Sequence, residues 1–179
     1  GSPMIRGFAT HRVLLVVDGV RMNNAIFREG NLQNVISLDP NIIENTEVIF
    51  GPGAIVYGSD AIGGVMDFHS KKALLSTSDK VNLKVNAMGR ASTANNEKTA
   101  HVDFNIGGSK IAFLAGYTFS DYDDLRMGSV GNESYRRTEY QVWRGGSDMV
   151  VQNTDPDIQV PSGYSQHNAT AKLRFQPTE

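Results

Sequence analysis

Ile111-Ala112-Phe113-Leu114-Ala115-Gly116-Tyr117-Thr118-Phe119-Ser120 is the stretch on which the reading of this chain turns. A strand sends alternate side chains to opposite faces. Ile111, Phe113, Ala115, Tyr117 and Phe119 therefore share one face, against small residues that include Ala112, Gly116, Thr118 and Ser120. Three more stretches keep the same period. Val81, Leu83, Val85 and Ala87 oppose Asn82, Lys84, Asn86 and Met88. Ala100, Val102, Phe104 and Ile106 oppose Thr99, His101, Asp103 and Asn105. Ala169, Ala171, Leu173 and Phe175 oppose Asn168, Thr170, Lys172 and Arg174. None of the four apolar faces contains a charged residue.

A soluble, half-buried sheet also keeps charge off its inner face, so the alternation is compatible with two architectures. One is a soluble α+β ligand-binding module whose antiparallel sheet needs a partner layer over its apolar face. The other is a barrel wall in a bilayer. Spanning strands need about 9–11 residues, and a Lys or Arg on the lipid face at mid-depth costs about 2–4 kcal/mol. The connections favour the wall. Gly107-Gly108-Ser109-Lys110 is a tight hairpin between the second and third stretches. A long loop, about 121–166, joins the third to the fourth. Short turns on one side and long loops on the other are a barrel asymmetry. Four strands cannot close a barrel, so 73–179 is expected to be four strands of an incomplete one. Gly1-Ser2-Pro3 reads as a cut into a longer protein. Without detergent such a piece is expected to aggregate through its open edges.

The first seventy residues have another texture. Arg12-Val13-Leu14-Leu15-Val16-Val17 is a buried-strand run ended by Asp18-Gly19. Residues 31–37 and 40–45 read as short helices, the second started by Asp39-Pro40. Thr46–Phe50 is a strand stopped by Gly51-Pro52-Gly53, 54–58 one helical turn, and Gly63–His69 a third strand. Alternating strands and short helices suggest a small mixed sheet.

Composition narrows the function. The chain has 17 Lys and Arg against 19 Asp and Glu, a net charge of −2, which argues against nucleic acid as a partner. There is no cysteine, hence no disulfide framework, thiolate metal site or cysteine nucleophile. No apolar run reaches transmembrane-helix length, and no signal peptide opens the sequence. The histidines, His11, His69, His101 and His167, form no HExxH pair. Gly53 and Gly58 have phosphate-loop spacing, but Ser59 stands where that loop needs Lys. Asp121, Asp123 and Asp124 miss the calcium-loop pattern and read as a solvated loop. No metal, cofactor or catalytic group is expected, and the chain is read as no enzyme.

The order of the first-half motifs resembles the plug domain of TonB-dependent outer-membrane receptors. The residues that carry it are Ile5-Arg6-Gly7-Phe8, Arg12 to Arg21, Asp39-Pro40 through Ile43-Glu44, Thr46 to Gly53, and Tyr57-Gly58-Ser59-Asp60-Ala61-Ile62-Gly63-Gly64-Val65-Met66. The resemblance implies an α+β plug domain over 1–72, the C-terminal two-thirds of a plug, followed by antiparallel transmembrane β-barrel strands, with 73–179 as the first four of the barrel. It implies active import of a scarce nutrient, an iron-siderophore or haem, across a Gram-negative outer membrane. The plug gates the barrel. The implied partners are outer-membrane lipid and the TonB-ExbB-ExbD complex, the latter through a segment that would precede Gly1.

The resemblance also distributes roles. Phe8, His11, Arg12, Asn23, Asn24, Phe27, Arg28 and Asn31 would lie at the substrate-facing apex. The Asn-Asn-Ala-x-Phe-Arg stretch is similar to plugs of haem receptors. Arg6, Glu44 and Glu47 would lock plug to barrel, although Phe50 stands where the family often has a second basic residue. Gly51, Pro52, Gly53, Gly58, Gly63 and Gly64 would make tight turns. Tyr117, Phe119, Tyr122, Tyr135, Tyr140 and Trp143 would form an aromatic girdle or pack the loop.

Overall fold

A computed structural model describes residues 4–9, 12–22, 35–51, 54–58, 61–128 and 130–177. They form two compact units, Gly1–Leu74 and Leu75–Glu179.

The first unit is built around one apolar strand. β1 (Met4–Ile5) and β2 (Phe8–Ala9) form a small antiparallel pair. β3 (Val13–Val17) lies inside a four-stranded sheet with β4 (Val20–Arg21), β5 (Ile43–Phe50) and β6 (Gly64–Ser70), in the order β4-β3-β6-β5. β3 and β6 run parallel, and the other pairs are antiparallel. Val13, Leu14, Leu15 and Val16 are at most 1% exposed, so β3 is buried on both faces, as a continuous apolar run requires. Leu14 and Val16 pack with Ala61 and Val65, and Ile49 and Tyr57 close over them. Burial of each such side chain contributes about 1.5–3 kcal/mol.

Asp18 and Gly19 both have positive φ, 48° and 81°, the conformation of a two-residue hairpin turn. The Asp18 carboxylate then accepts a bond from the Ser70 backbone N–H at 2.8 Å and one from the Ser70 hydroxyl. The turn is thereby tied to the end of β6. Gly64 is required for space: a Cβ there would lie 2.7 Å from the Ile49 carbonyl oxygen.

Two expected helices are corrected. In 31–37 only Val35–Ser37 is described as helical, a single 3-10 turn, and 31–34 lie outside the described residues. In 40–45 the chain turns and enters β5 at Ile43. The Asp39 carboxylate accepts from the Asn41 backbone N–H at 3.0 Å, and Ile42 N–H donates to the Asp39 carbonyl. Asp39 thus caps a turn that never propagates, because the Glu44–Phe50 run pairs with β6 instead. The turn at 54–58 is the short helix α1 (Ala54–Tyr57).

The second unit is an open meander. β7 (Asn82–Ser92), β8 (Glu97–Gly107), β9 (Ile111–Tyr122) and β14 (Tyr164–Phe175) pair antiparallel in the order β14-β9-β8-β7. The strands have 11, 11, 12 and 12 residues, about 36–40 Å at about 3.3 Å per residue. β7 and β14 are both edges, so the wall is unclosed.

The segment between β9 and β14 carries more structure than the loop expected there. β10 (Leu125–Arg126) pairs with β13 (Ile158–Gln159), and β11 (Glu139–Arg144) forms a hairpin with β12 (Ser147–Gln152). Gly145 and Gly146 have φ of 60° and 87°. Gly-Gly between two pairing runs is a two-residue hairpin signal, which the reading of 121–166 as a loop leaves unused.

Candidate functional site

Burial along the central strand β8 runs opposite to that of a soluble sheet. Along β8, past Lys98 at its exposed start, the polar positions are buried and the apolar ones exposed or half-exposed: Asp103 is 2% exposed, Val102 45% and Ile106 43%. On β9 Thr118 is 1% exposed while Tyr117 is 45% exposed. Cross-strand register makes each face continuous. The exposed face carries Leu83, Ile106, Phe113 and Leu173 in one row, then Ala87, Val102, Tyr117 and Ala169 further along.

The buried face is a hydrogen-bonded network. His101 Nε2 lies 2.9 Å from Asp103 Oδ2, and its Nδ1 2.6 Å from the Thr118 hydroxyl. Asn86 Nδ2 donates to Asp103 Oδ1 at 2.8 Å. Toward the other end of β8, Glu97 accepts from Arg90 and from the Thr99 hydroxyl, and Thr99 also meets Ser120 at 3.1 Å. Buried polar groups are tolerable only when so satisfied.

At the end of the exposed face the aromatics gather. Phe119 and Tyr117 lie against His167, ring centroids 4.8 and 6.1 Å apart, and the Tyr117 hydroxyl sits 2.6 Å from His167 Nδ1. Tyr122 faces Tyr164 at 4.8 Å. Of the expected aromatics these lie on the wall, whereas Tyr135 and Trp143 stand exposed in the connecting segment and Tyr140 is half-buried on β11.

In the first unit, the expected site residues are partly placed. Arg6, in a left-handed conformation (φ 49°), sets its guanidinium carbon 5.1 Å from the centroid of the Phe50 ring. The residue in place of the second basic group is thus a cation–π partner. Glu44 is exposed on β5. Glu47 faces His69 at 3.8 Å, and His69 is equally far from the buried Asp67. Tyr57 donates to Asp67 at 3.4 Å. Burial, followed by the Asp67 carboxylate, pushes the Tyr57 phenol above its ordinary pKa. Sequence reasoning passed over Asp67 and Tyr57, although Asp67 interrupts an apolar run in β6. Arg12 is exposed just before β3, and Phe8 lies on β2. His11, Asn23, Asn24, Phe27, Arg28 and Asn31 lie outside the described residues, as do Pro52 and Gly53. Gly51 and Gly58 have positive φ, and Gly63 donates its N–H to the Arg12 carbonyl.

The connecting segment is held at its base. Asp124 Oδ1 accepts from the backbone N–H groups of Ser162 and Gly163 at 2.6 and 2.7 Å, which holds its carboxyl below the usual range. A Cβ on Gly163 would lie 2.9 Å from the Tyr122 carbonyl oxygen. The Arg126 guanidinium beside Asp155 lowers that carboxyl too. So Asp124 closes the loop on backbone N–H groups while Asp123 accepts from the Asn96 side chain, and no metal-holding group of three occurs among the described residues.

Comparison with known proteins accounts for both units. Residues 1–65 match the family described as TonB-dependent Receptor Plug Domain. The chain is 37% identical over 115 residues to a vitamin B12 transporter BtuB of Vibrio vulnificus, covering 64% of this chain and 18% of the relative. It is 32% identical over 141 residues to a heme/hemopexin utilization protein C of Haemophilus influenzae, covering 76% of this chain and 19% of the relative. The fold matches the siderophore receptor PirA of Acinetobacter baumannii with a TM-score of 0.58 and 18% identity, over 98% of this chain and 23% of that one. The chain therefore spans about a fifth of the length of the curated relatives it matches. With a matched plug and four strands of an unclosed wall whose apolar face is exposed, it belongs to the TonB-dependent receptor family.

Proposed function

We propose that this chain is the plug and first wall segment of a receptor that imports an iron-siderophore or haem across a Gram-negative outer membrane. The observation that carries the reading is the inverted burial of β8, continued on β9 by Thr118 and Ser120: satisfied polar groups inside, with Ala112 and Leu114 beside them at one end of β9, and larger apolar side chains outside. Only a non-aqueous surrounding makes that arrangement favourable over a long strand. In this reading the chain does no covalent chemistry. Arg6, Glu44 and Glu47 hold plug to barrel, and Phe8, His11, Arg12 and the 23–31 stretch face the incoming ligand. TonB, energised through ExbB and ExbD, would act on a segment outside these residues. The soluble-module alternative requires a layer over Val102, Ile106, Phe113 and Leu173, which are exposed.

The test is growth of an iron-starved Gram-negative host lacking its own receptors and carrying the full-length gene. Haem, ferric enterobactin and cobalamin are supplied separately. The expected result is TonB-dependent growth or uptake on one of the two iron sources. Uptake of cobalamin alone would overturn the substrate class, and recovery of the protein in the soluble fraction would overturn the receptor reading.

A further inference from the structure

The polar face of the wall is charged unevenly along its strands, and none of the roles above uses this. Cross-strand register lays the face out in rows. At the end of the short β8–β9 turn, one row holds Asn82, Gly107, Ala112 and Arg174, and the next Lys84, Asn105, Leu114 and Lys172. Lys80 and Lys110 stand at the same rim, just before β7 and β9. The Lys110 carbonyl accepts from Gln176 N–H at 2.8 Å. The Lys80 carbonyl accepts from the Ser76 hydroxyl at 2.6 Å, and Ser76 N–H donates to the Gly108 carbonyl. The rim is therefore fixed to the wall.

Five cations gather at this end. Among the described residues of the second unit, the carboxylates there are Asp79, before β7, and Asp103, one row further in. Asp103 is already engaged by His101 and Asn86. Lys80, Lys84, Lys110 and Arg174 are exposed and form no ion pair among the described residues. Arg174 donates only to the Gln176 side chain, at 3.1 Å. At the opposite end the same face is balanced, because Arg90 donates to Glu97 at 2.8 Å. Lys84 and Lys172 lie three strand spacings apart, about 14 Å. A ligand of small-molecule size thus meets cations on both sides.

In outer-membrane barrels the short turns face the periplasm and the polar face lines the lumen. The cations then stand at the inner mouth. A surface of one sign raises the local concentration of its counter-ion by about 10–1,000-fold. Exposed cations act over a Debye length of about 8 Å at physiological salt, which guides an anion without retaining it.

We infer that the inner end of this face is an exit track for anionic cargo, with Lys84, Lys172 and Arg174 on the wall and Lys80 and Lys110 at the rim. The inference rests on the import reading and narrows its cargo by charge. A ferric tris-catecholate is a trianion and haem carries two propionates, so both are drawn to the track. An uncharged corrinoid gains nothing from it.

The test uses the full-length receptor in the receptor-deficient host, given ferric enterobactin, haem or cyanocobalamin. Two quantities are read: binding to intact cells lacking TonB, and the initial uptake rate in cells that have it. The double variant Lys84→Glu, Arg174→Glu should slow uptake of the anionic cargo by about tenfold or more, with its binding unchanged. The charge-conserving pair Lys84→Arg, Arg174→Lys should keep the wild-type rate. Should the reversed variant fail to bind, the neutral pair Lys84→Gln, Arg174→Gln decides, with a slower uptake and intact binding expected. Wild-type uptake by a charge-altered variant that binds normally overturns the track and leaves the import reading standing. Loss of binding in the neutral pair also overturns it, since the role is then structural. Wild-type import of cyanocobalamin alone, or of nothing, overturns both.

Discussion

The two sheets of this chain obey opposite burial rules. In β3 the apolar side chains of Val13 to Val16 are almost wholly inaccessible. In β8 the inaccessible side chains are Glu97, Thr99, His101, Asp103 and Asn105. The residue types are ordinary in both, and the strand geometry is the same. What differs is the medium each apolar face meets. The first sheet is stabilised by removing apolar surface from water. The second, in the receptor reading, leaves apolar surface to the hydrocarbon and pairs buried His101, Asp103, Thr118, Glu97 and Thr99 with one another or with neighbours in the sheet. An apolar stripe therefore says where a strand avoids water, and not whether that side is the protein's interior.

Three changes, with Val102→Ala as a control, break or sharpen the contrast. Leu14→Ala should have the largest effect. It empties a fully buried site in the first sheet and should destabilise that unit by about 2–5 kcal/mol, read as a lower denaturant midpoint by tryptophan-independent circular dichroism. Val102→Ala, on the exposed face, should change the midpoint far less. Next, Val102→Arg should cost about 2–4 kcal/mol on refolding the full-length protein into lipid bilayers. In a soluble sheet the same exposed change would be nearly neutral, so a bilayer refolding free energy equal to wild type would end the lipid-facing reading.

The smallest effect tests the segment that obeys soluble rules again. Asp124→Ala removes the carboxylate that receives Ser162 and Gly163, and by analogy with a lost side-chain cap should loosen the loop by about 0.5–2 kcal/mol. The Asp124 carboxyl is held below its unfolded value of about 3.9. Its contribution is therefore complete above that value and is lost as pH falls through the lowered one. Amide exchange at Ser162 and Gly163, compared near pH 5 and pH 3, should rise relative to the wall only at the lower pH, and the alanine variant should show no such step.

Much of this was legible in the residues. Val13 to Val17, Asp18-Gly19 and the four alternating stretches mark their elements because period and turn chemistry are local. The limits are equally physical. Asp39-Pro40 looks like a helix start, yet it caps a turn, because the residues after it pair with β6 over a distance that propensity does not see. The β11–β12 hairpin was passed over because polar residues dilute its alternation, although Gly145-Gly146 marked it. The pairing of Arg6 with Phe50 joins positions that no local pattern connects.

The sequence by itself determined where the strands run, which side chains share a face, and that charge is kept off one face of the wall. Each follows from the two-residue period and from turn residues only a few positions apart. The tertiary structure alone decided which face is exposed, that His101, Asp103 and Thr118 satisfy one another, and that Asp124 clasps the loop across to Ser162. These depend on cross-strand register and on contacts between residues far apart in the chain, and local composition carries neither.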